Sequence, residues 1–489
     1  MKFCFDTKEF IEWDIQPNKL AVIGDDFVLT WEQFNTRVQA LCEEFVAHGI
    51  HQTQRPVMVY GHKSANMLVA FYAMMKLEIA YIPLDKFYPK ERLEKIARIS
   101  KSEIVINTTA WPLQIDNITE ILVEETKTSR VQKAEVSVQV KKLADPLVYI
   151  IFTSGSTGEP KGVQISSEAV QSFTRWMSSD FGFGSKDVFV NTAVLSFDLS
   201  VFEVMTFGKL GATLLLNNKE QTSDPNVLIP RIKKYQGSIW VSTPSFTLIY
   251  SRIKNETRLN SIHTFLFCGE VLANDLANKL MENYPKARVL NTYGPTEATV
   301  ATTLVEITPE LIDSHTSLPV GVSQPESRLL IENGEIIIVG PNVSKGYTNN
   351  EILNAEKFVT INNQRAFKTG DQGYLEKGML FFTGRNDDLV KLHGYRIELN
   401  EISSAINKLT YVVQGETIAL KRNGSVKKIV SLVKVNGNET ITVAQIKQDI
   451  SAILPPYMIP SDIKFLEEIP LSQNGKADKK LLTELYMKR

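Results

Sequence analysis

One lysine in this chain stands where a phosphate could be held. Lys161 ends the run Thr153-Ser154-Gly155-Ser156-Thr157-Gly158-Glu159-Pro160-Lys161, which follows the apolar stretch Leu147 to Phe152. Glycines let backbone N–H groups come close to phosphate oxygens, hydroxyls add further donors, and an ammonium offsets the negative charge. The run is not a Walker A loop: that motif needs G-x-x-x-x-G-K-[ST], whereas Glu159-Pro160 separates Gly158 from Lys161, and Gly162 follows the lysine. The plain alternative is a surface turn, which Gly and Ser favour anyway.

Three further groups carry polar chemistry. Asn291-Thr292-Tyr293-Gly294-Pro295-Thr296-Glu297 follows the apolar Arg288-Val289-Leu290. An aromatic ring beside a turn can stack on a purine, Thr296 can hold a phosphate or carboxylate oxygen, and Glu297 can ligate Mg²⁺. Alone, Gly-Pro-Thr-Glu also suits a turn entering a helix. Asp371 in Thr369-Gly370-Asp371 is a carboxylate on a turn and suits a ribose diol, while Arg385 in Gly384-Arg385-Asn386-Asp387 can reach ribose or phosphate. Lys476, in Asn474-Gly475-Lys476 near the C-terminus, reads by itself as a solvated side chain.

Alternating helices and strands must position these groups. Thr30-Trp31-Glu32-Gln33 has the form of a capping box, and Phe34, Val38, Leu41 and Phe45 continue it at helical spacing. β-rich runs at Pro56 to Tyr60, Glu103 to Ile106, Val188 to Val190, Ile239 to Ser242, Phe265 to Phe267 and Ala287 to Leu290 are separated by helical stretches such as Ala65 to Lys76, Glu168 to Met177 and Asn274 to Tyr284. This alternation predicts an α/β fold with layers of largely parallel sheet. Beyond residue 320 the pattern changes to a strand at Glu335 to Val339, Gly- and Asp-rich turns, and a final section with its own helices and strands. The expected division is a large domain over 1–385 and a small α+β domain over 386–489.

Composition narrows the class. The 489 residues are 43% hydrophobic and 22% charged, as in folded globular proteins. With 54 basic against 55 acidic residues, the chain has no broad attraction for nucleic acid or anionic membrane. Three scattered cysteines (Cys4, Cys42 and Cys268) exclude a disulfide scaffold or Cys-rich zinc site, and the six histidines form no H-E-x-x-H pair. Met1 to Phe10 lacks the pattern of a secretory leader and no apolar stretch approaches a membrane span, so a cytoplasmic location without membrane insertion is expected.

Together, in this order and at these separations, the four groups resemble the adenylate-forming superfamily of acyl-CoA synthetases, luciferases and nonribosomal-peptide adenylation domains. The resemblance runs over nearly the whole chain. In finer wording the chain resembles the D-alanine–D-alanyl carrier protein ligases: Gly155 to Ser166 reads GSTGEPKGVQIS, Asn291 to Ala301 reads NTYGPTEATVA, and Lys391-Leu392-His393-Gly394-Tyr395-Arg396 follows. The resemblance implies ATP and Mg²⁺ as cofactors, a small amino acid with D-alanine as first expectation, and a phosphopantetheinylated carrier protein as partner, with a monomer expected. It implies that Thr153 and Ser154 open the triphosphate loop, that Asn291 through Thr296 hold adenine and phosphate, and that Glu297 lies near Mg²⁺. Asp371 falls on the ribose, Phe382, Thr383, Gly384 and Arg385 beside the nucleotide, and Asp387 at the hinge position. Lys476 matches the lysine that bridges carboxylate and α-phosphate.

By the same resemblance Asp198 in Ser196-Phe197-Asp198-Leu199-Ser200 matches the carboxylate that binds a substrate ammonium; capping a helix is the alternative reading. Cys268 and Val300 match pocket positions. Phe202 departs from the methionine usual in the D-alanyl ligases, and a ring there is expected to shrink the pocket. Phe-Asp-Leu-Ser-Val-Phe-Glu also resembles stand-alone nonribosomal adenylation domains for other small amino acids. A homologue that senses nucleotide without turnover is the remaining alternative, against which intact Lys161, Glu297, Asp371 and Lys476 argue.

Overall fold

The computed structural model describes residues 16–123, 144–155, 159–250, 259–385, 389–422, 425–436, 441–470 and 477–488. Asp387 and Lys476 lie outside them, as do Ser156, Thr157 and Gly158 of the glycine-rich run.

Two largely parallel sheets form the bulk of the chain. Among the described residues the larger has nine strands, whose centre is the parallel set Leu20–Ile23, Thr213–Leu215, Val188–Asn191, Ile239–Ser242, Thr264–Phe267 and Arg288–Tyr293. Antiparallel strands close it at both edges. The second sheet has six strands, parallel except where Leu147–Thr153 pairs antiparallel with Lys161–Ser166. That pairing sets Thr153 opposite Lys161, so the strands on either side of the glycine-rich run are antiparallel neighbours. The next described element after Leu147–Thr153 is thus a strand, whereas a Walker A loop leads into a helix.

The helices Ala65–Lys76, Ser167–Asp180 and Val201–Leu210 pack within one apolar cluster with both sheets, joining Val22 and Phe189 of the first to Val59 and Ile151 of the second. Ala65–Lys76 is apolar nearly all round and buried from Ala65 to Met75, as a helix between two layers must be. Thr30 caps Trp31–Ala47 with the reciprocal bonds its sequence predicts: Gln33 N–H donates to the Thr30 hydroxyl, and Thr30 N–H to the Gln33 side chain.

After residue 320 a five-stranded antiparallel sheet carries Gln364–Glu376 beside Met379–Arg385, so that Asp371 faces Arg385 in register. Beyond 389 come the hairpin Leu389–Leu392/Tyr395–Glu398 and a three-stranded sheet. They have apolar clusters of their own, one built on Ile402, Ile406, Val433 and Ile450. No described helix is long and apolar enough to cross a membrane.

Candidate active site

Strands that run parallel deliver their following loops to one edge, and a crevice at that edge is where α/β sheets bind ligands. Here Val188–Asn191, Thr264–Phe267 and Arg288–Tyr293 lead respectively to Asp198, Cys268 and the Gly294–Glu297 turn. Asp198, Cys268 and Gly294 through Thr296 line one cleft, which also reaches Asp371 and Arg385. One cleft therefore spans the residues expected to hold an amino acid and those expected to hold a nucleotide.

At the nucleotide end, the Tyr293 hydroxyl donates to Asp371 Oδ2 at 2.6 Å, and Arg385 pairs with the other carboxylate oxygen. The Phe382 ring lies 6.0 Å from that of Tyr293, whereas Thr383 is exposed. Thr292 donates to the Phe267 carbonyl at 2.8 Å and Asn291 to that of Pro319 at 2.8 Å, fixing the turn from beneath. Gly294 is required by closeness: a Cβ there would stand 2.5 Å from Ala301 Cα. Two buried atoms, Thr153 Oγ1 and Asn291 Oδ1, have no hydrogen-bond partner among the described residues. Such groups suit a polar ligand, since leaving them unpaired costs about 1–3 kcal/mol each.

At the other end Asp198 begins a short 3₁₀ turn, but its side chain caps nothing. It accepts the Thr296 hydroxyl at 2.5 Å. Burial pushes its carboxyl above the usual range, against the opposing pull of Thr296 and Lys391. Cys268 donates its thiol toward the Val300 carbonyl at 3.7 Å, and burial pushes that thiol up, so it is an apolar wall. Thr299 and Val300 have φ of +52° and +69°. A β-branched residue in that region is strained by roughly 1–3 kcal/mol and persists only where its surroundings hold it.

Two of the expected site residues are already engaged elsewhere in this arrangement. Phe202 does not reach the cleft. One turn beyond Asp198, its ring faces the core between the sheets, is fully buried, and lies 5.3 Å from Phe173. Both Glu297 oxygens already have partners: Tyr347 donates to Oε1 at 2.7 Å and Arg396 pairs with Oε2 at 2.5 Å. Burial alone would raise the Glu297 carboxyl, but Arg396 and Tyr347 hold it below its ordinary value. No group of three His, Cys, Asp or Glu side chains suited to a metal is present among the described residues.

The chain after 389 contributes more than the sequence indicated. Lys391 and Arg396 line the cleft, and the Lys391 ammonium stands 6.0 Å from the Tyr293 ring centre. Ser154 donates to the Arg396 carbonyl at 2.7 Å and accepts the Glu398 N–H at 3.2 Å. Lys161 is not part of the cleft wall; it lies 3.5 Å from Glu398. The wording Lys391 to Arg396 is legible in the sequence, but nothing in it assigns those side chains a place.

A family model described as AMP-binding enzyme matches residues 12–348. A D-alanine–D-alanyl carrier protein ligase of Bacillus cytotoxicus is 38% identical, covering 96% of this chain and 97% of its own. One of Bacillus licheniformis is also 38% identical, covering 99% of both chains. Among solved structures, the Vibrio cholerae adenylation domain AlmE in complex with glycyl-adenosine-5'-phosphate superposes with a TM-score of 0.83 at 22% identity, covering 100% of this chain and 99% of that one. An artificially fused adenylation–carrier di-domain from Klebsiella oxytoca gives 0.83 at 20% identity, covering 94% and 93%. At such identities the superpositions speak for the fold.

Proposed function

The chain belongs to the family of AMP-binding enzymes, and from that premise we propose that it activates a small amino acid, D-alanine first among them, as aminoacyl-AMP. It then passes the acyl group to the phosphopantetheine thiol of a carrier protein. The observation that carries this reading is the single cleft in which Asp198 and Asp371 both stand. A fatty or aryl acid offers no ammonium for Asp198 to pair with. The names of the Bacillus relatives support D-alanine as the acid and a D-alanyl carrier protein as the acceptor. They also favour this over the nonribosomal alternative.

In the first half-reaction the substrate carboxylate attacks the α-phosphorus of ATP, forming the acyl–phosphate bond and expelling pyrophosphate. A carboxylate is already nucleophilic at neutral pH, so the work is positioning and charge stabilisation. Asp198 would anchor the ammonium and Cys268 and Val300 would bound the side chain. Asp371 would receive the ribose hydroxyls, with Arg385 beside it. Lys161 would balance the departing pyrophosphate, and Lys476 the charge where carboxylate meets phosphorus. In the second half-reaction the thiol attacks the acyl carbon and AMP leaves. Mg²⁺ would screen the phosphates of bound ATP, while Tyr347 and Arg396 engage both Glu297 oxygens.

The first half-reaction needs Lys476 at the nucleotide and the second needs an open path for the thiol, so a small domain from residue 386 onward is proposed to turn at Asp387 between them. The separating experiment is Lys476→Ala. Adenylate formation is expected to be lost while thiol transfer from supplied aminoacyl-AMP is retained; equal loss of both steps contradicts the reading.

A further inference from the structure

We propose that Asn342, a residue behind the cleft wall, sets the width of the amino acid pocket by holding Val300 in a left-handed backbone conformation. The proposal rests on the adenylating function above and deepens it, because it names what limits the substrate's side chain. Asn342 follows the strand Glu335–Val339 in the turn Gly340-Pro341-Asn342. It is fully buried and takes no part in lining the cleft, so it is a positioning residue rather than a catalytic one.

Asn342 bonds to both ends of the short segment that carries Val300. Its Nδ2 group donates to the Ala298 carbonyl at 3.1 Å and to Thr302 Oγ1 at 2.9 Å. Its main-chain carbonyl accepts the Thr299 hydroxyl at 2.7 Å, and its Oδ1 accepts the Ser327 hydroxyl at 2.7 Å. A carbonyl only accepts, so the Ala298 contact settles which end of the amide carries the hydrogens, and both of its N–H donors are spent on the segment. Two residues on, the Ser344 N–H donates to the Glu297 carbonyl at 2.8 Å. The stretch 297–302 is thus held at both ends by the one turn.

That hold matters because Thr299 and Val300 are consecutive, β-branched and both at positive φ. Such side chains crowd the backbone there, and residues of this kind keep the conformation only while their surroundings over-determine it. Ala298 lies just before the pair and Thr302 two residues beyond it, so one planar amide spans the strained stretch. Val300 lines the cleft and its carbonyl accepts the Cys268 thiol, so the position of this pair fixes both side-chain walls of the pocket. Without the Asn342 amide the pair is free to relax toward negative φ, which carries the Val300 side chain off the wall and loosens the Cys268 contact. The nucleotide residues are spared: Asn291, Thr292 and Tyr293 precede the segment and are held by Pro319, Phe267 and Asp371.

The test is exchange of pyrophosphate into ATP by the full chain with D-alanine, glycine and D-2-aminobutyrate, with urea unfolding followed alongside. Wild type, Asn342→Ala, Thr302→Val and the double variant would be compared. Asn342→Ala should raise the kcat/KM ratio of 2-aminobutyrate to alanine by about tenfold, the scale of one methylene. Glycine has no side chain for Val300 to meet, so its kcat/KM and the KM for ATP should stay within about twofold. Thr302→Val deletes one partner of the amide at nearly constant volume and should move the ratio the same way by about threefold. Because the two changes remove one shared contact, the double variant should exceed Asn342→Ala by less than about twofold. An unchanged ratio in Asn342→Ala, or in Thr302→Val where Asn342→Ala does not fold, overturns the proposal. So does an equal loss for glycine and alanine with a raised KM for ATP, which would make Asn342 a general part of the scaffold. Absence of exchange in wild type with any of these acids sinks the adenylating function, whereas exchange with an unmoved ratio sinks only the role of Asn342.

Discussion

Replacing Asp198 by Asn removes one charge and almost no volume. Asp198 is buried and its Oδ2 accepts the Thr296 hydroxyl, an acceptor role the Asn carbonyl can keep, so the wall should hold its shape. What is lost is the pairing with the substrate ammonium. Truncating one member of a buried, hydrogen-bonded charge pair costs roughly 2–5 kcal/mol. Burial already disfavours the ionised Asp198, which places the expected loss at the low end. At about 2–3 kcal/mol, kcat/KM for the amino acid should fall by roughly 30- to 150-fold. The assay is amino-acid-dependent exchange of pyrophosphate into ATP, run with D-alanine and with propionate, which lacks the ammonium. Propionate should be a poor substrate of both proteins and lose little in the variant. A loss of less than about threefold for D-alanine, or an equal loss for propionate, refutes Asp198 as the ammonium partner.

Val300→Ala should widen the pocket, raising the kcat/KM ratio of 2-aminobutyrate to alanine by about tenfold, the scale set by one methylene; a ratio unchanged in competition assays removes Val300 from the wall. Tyr293→Phe deletes the 2.6 Å bond to Asp371 and should lower unfolding stability by about 1–3 kcal/mol in urea titrations, with a higher KM for ATP; no change in either contradicts the contact. Lys161→Met should reduce kcat for adenylate formation by about 10²- to 10³-fold in single-turnover measurements, and near-normal rates exclude Lys161 from the reaction. Because burial raises the Asp198 carboxyl, protonation as pH falls should begin to weaken amino acid binding above the ordinary carboxylate range near about pH 4. A KM profile in wild type that matches that of Asp198→Asn contradicts this.

The local signals transferred well to the structure. The helix Ala65–Lys76 and the strands Ile239–Ser242 and Glu335–Val339 have the limits their sequences indicate, because each is an apolar run bounded by polar residues. The Thr30 capping box was legible for the same reason. Short-range patterning does not show which distant groups meet. Tyr293 and Asp371 are each conspicuous in sequence, but their contact depends on how the antiparallel sheet after 320 packs against the parallel one. Arg92 and Glu401 meet across more than three hundred residues and belong to ordinary amphipathic helices. Phe202 was misplaced because a residue next to a motif need not face the same side, and one helical turn from Asp198 its ring points into the core. Arg396 holding Glu297 is a further contact of this kind. The sequence marks Glu297 as an acidic ligand, and only the fold supplies the cation that neutralises it.

The claim that Asp198 and the nucleotide residues form one adenylating site is tested most directly by pyrophosphate exchange into ATP across D-alanine, L-alanine, glycine, serine and larger amino acids. The account predicts exchange that depends on the added acid, highest with D-alanine and negligible with large side chains. Exchange indifferent to the amino acid, or greatest with a bulky one, would contradict it.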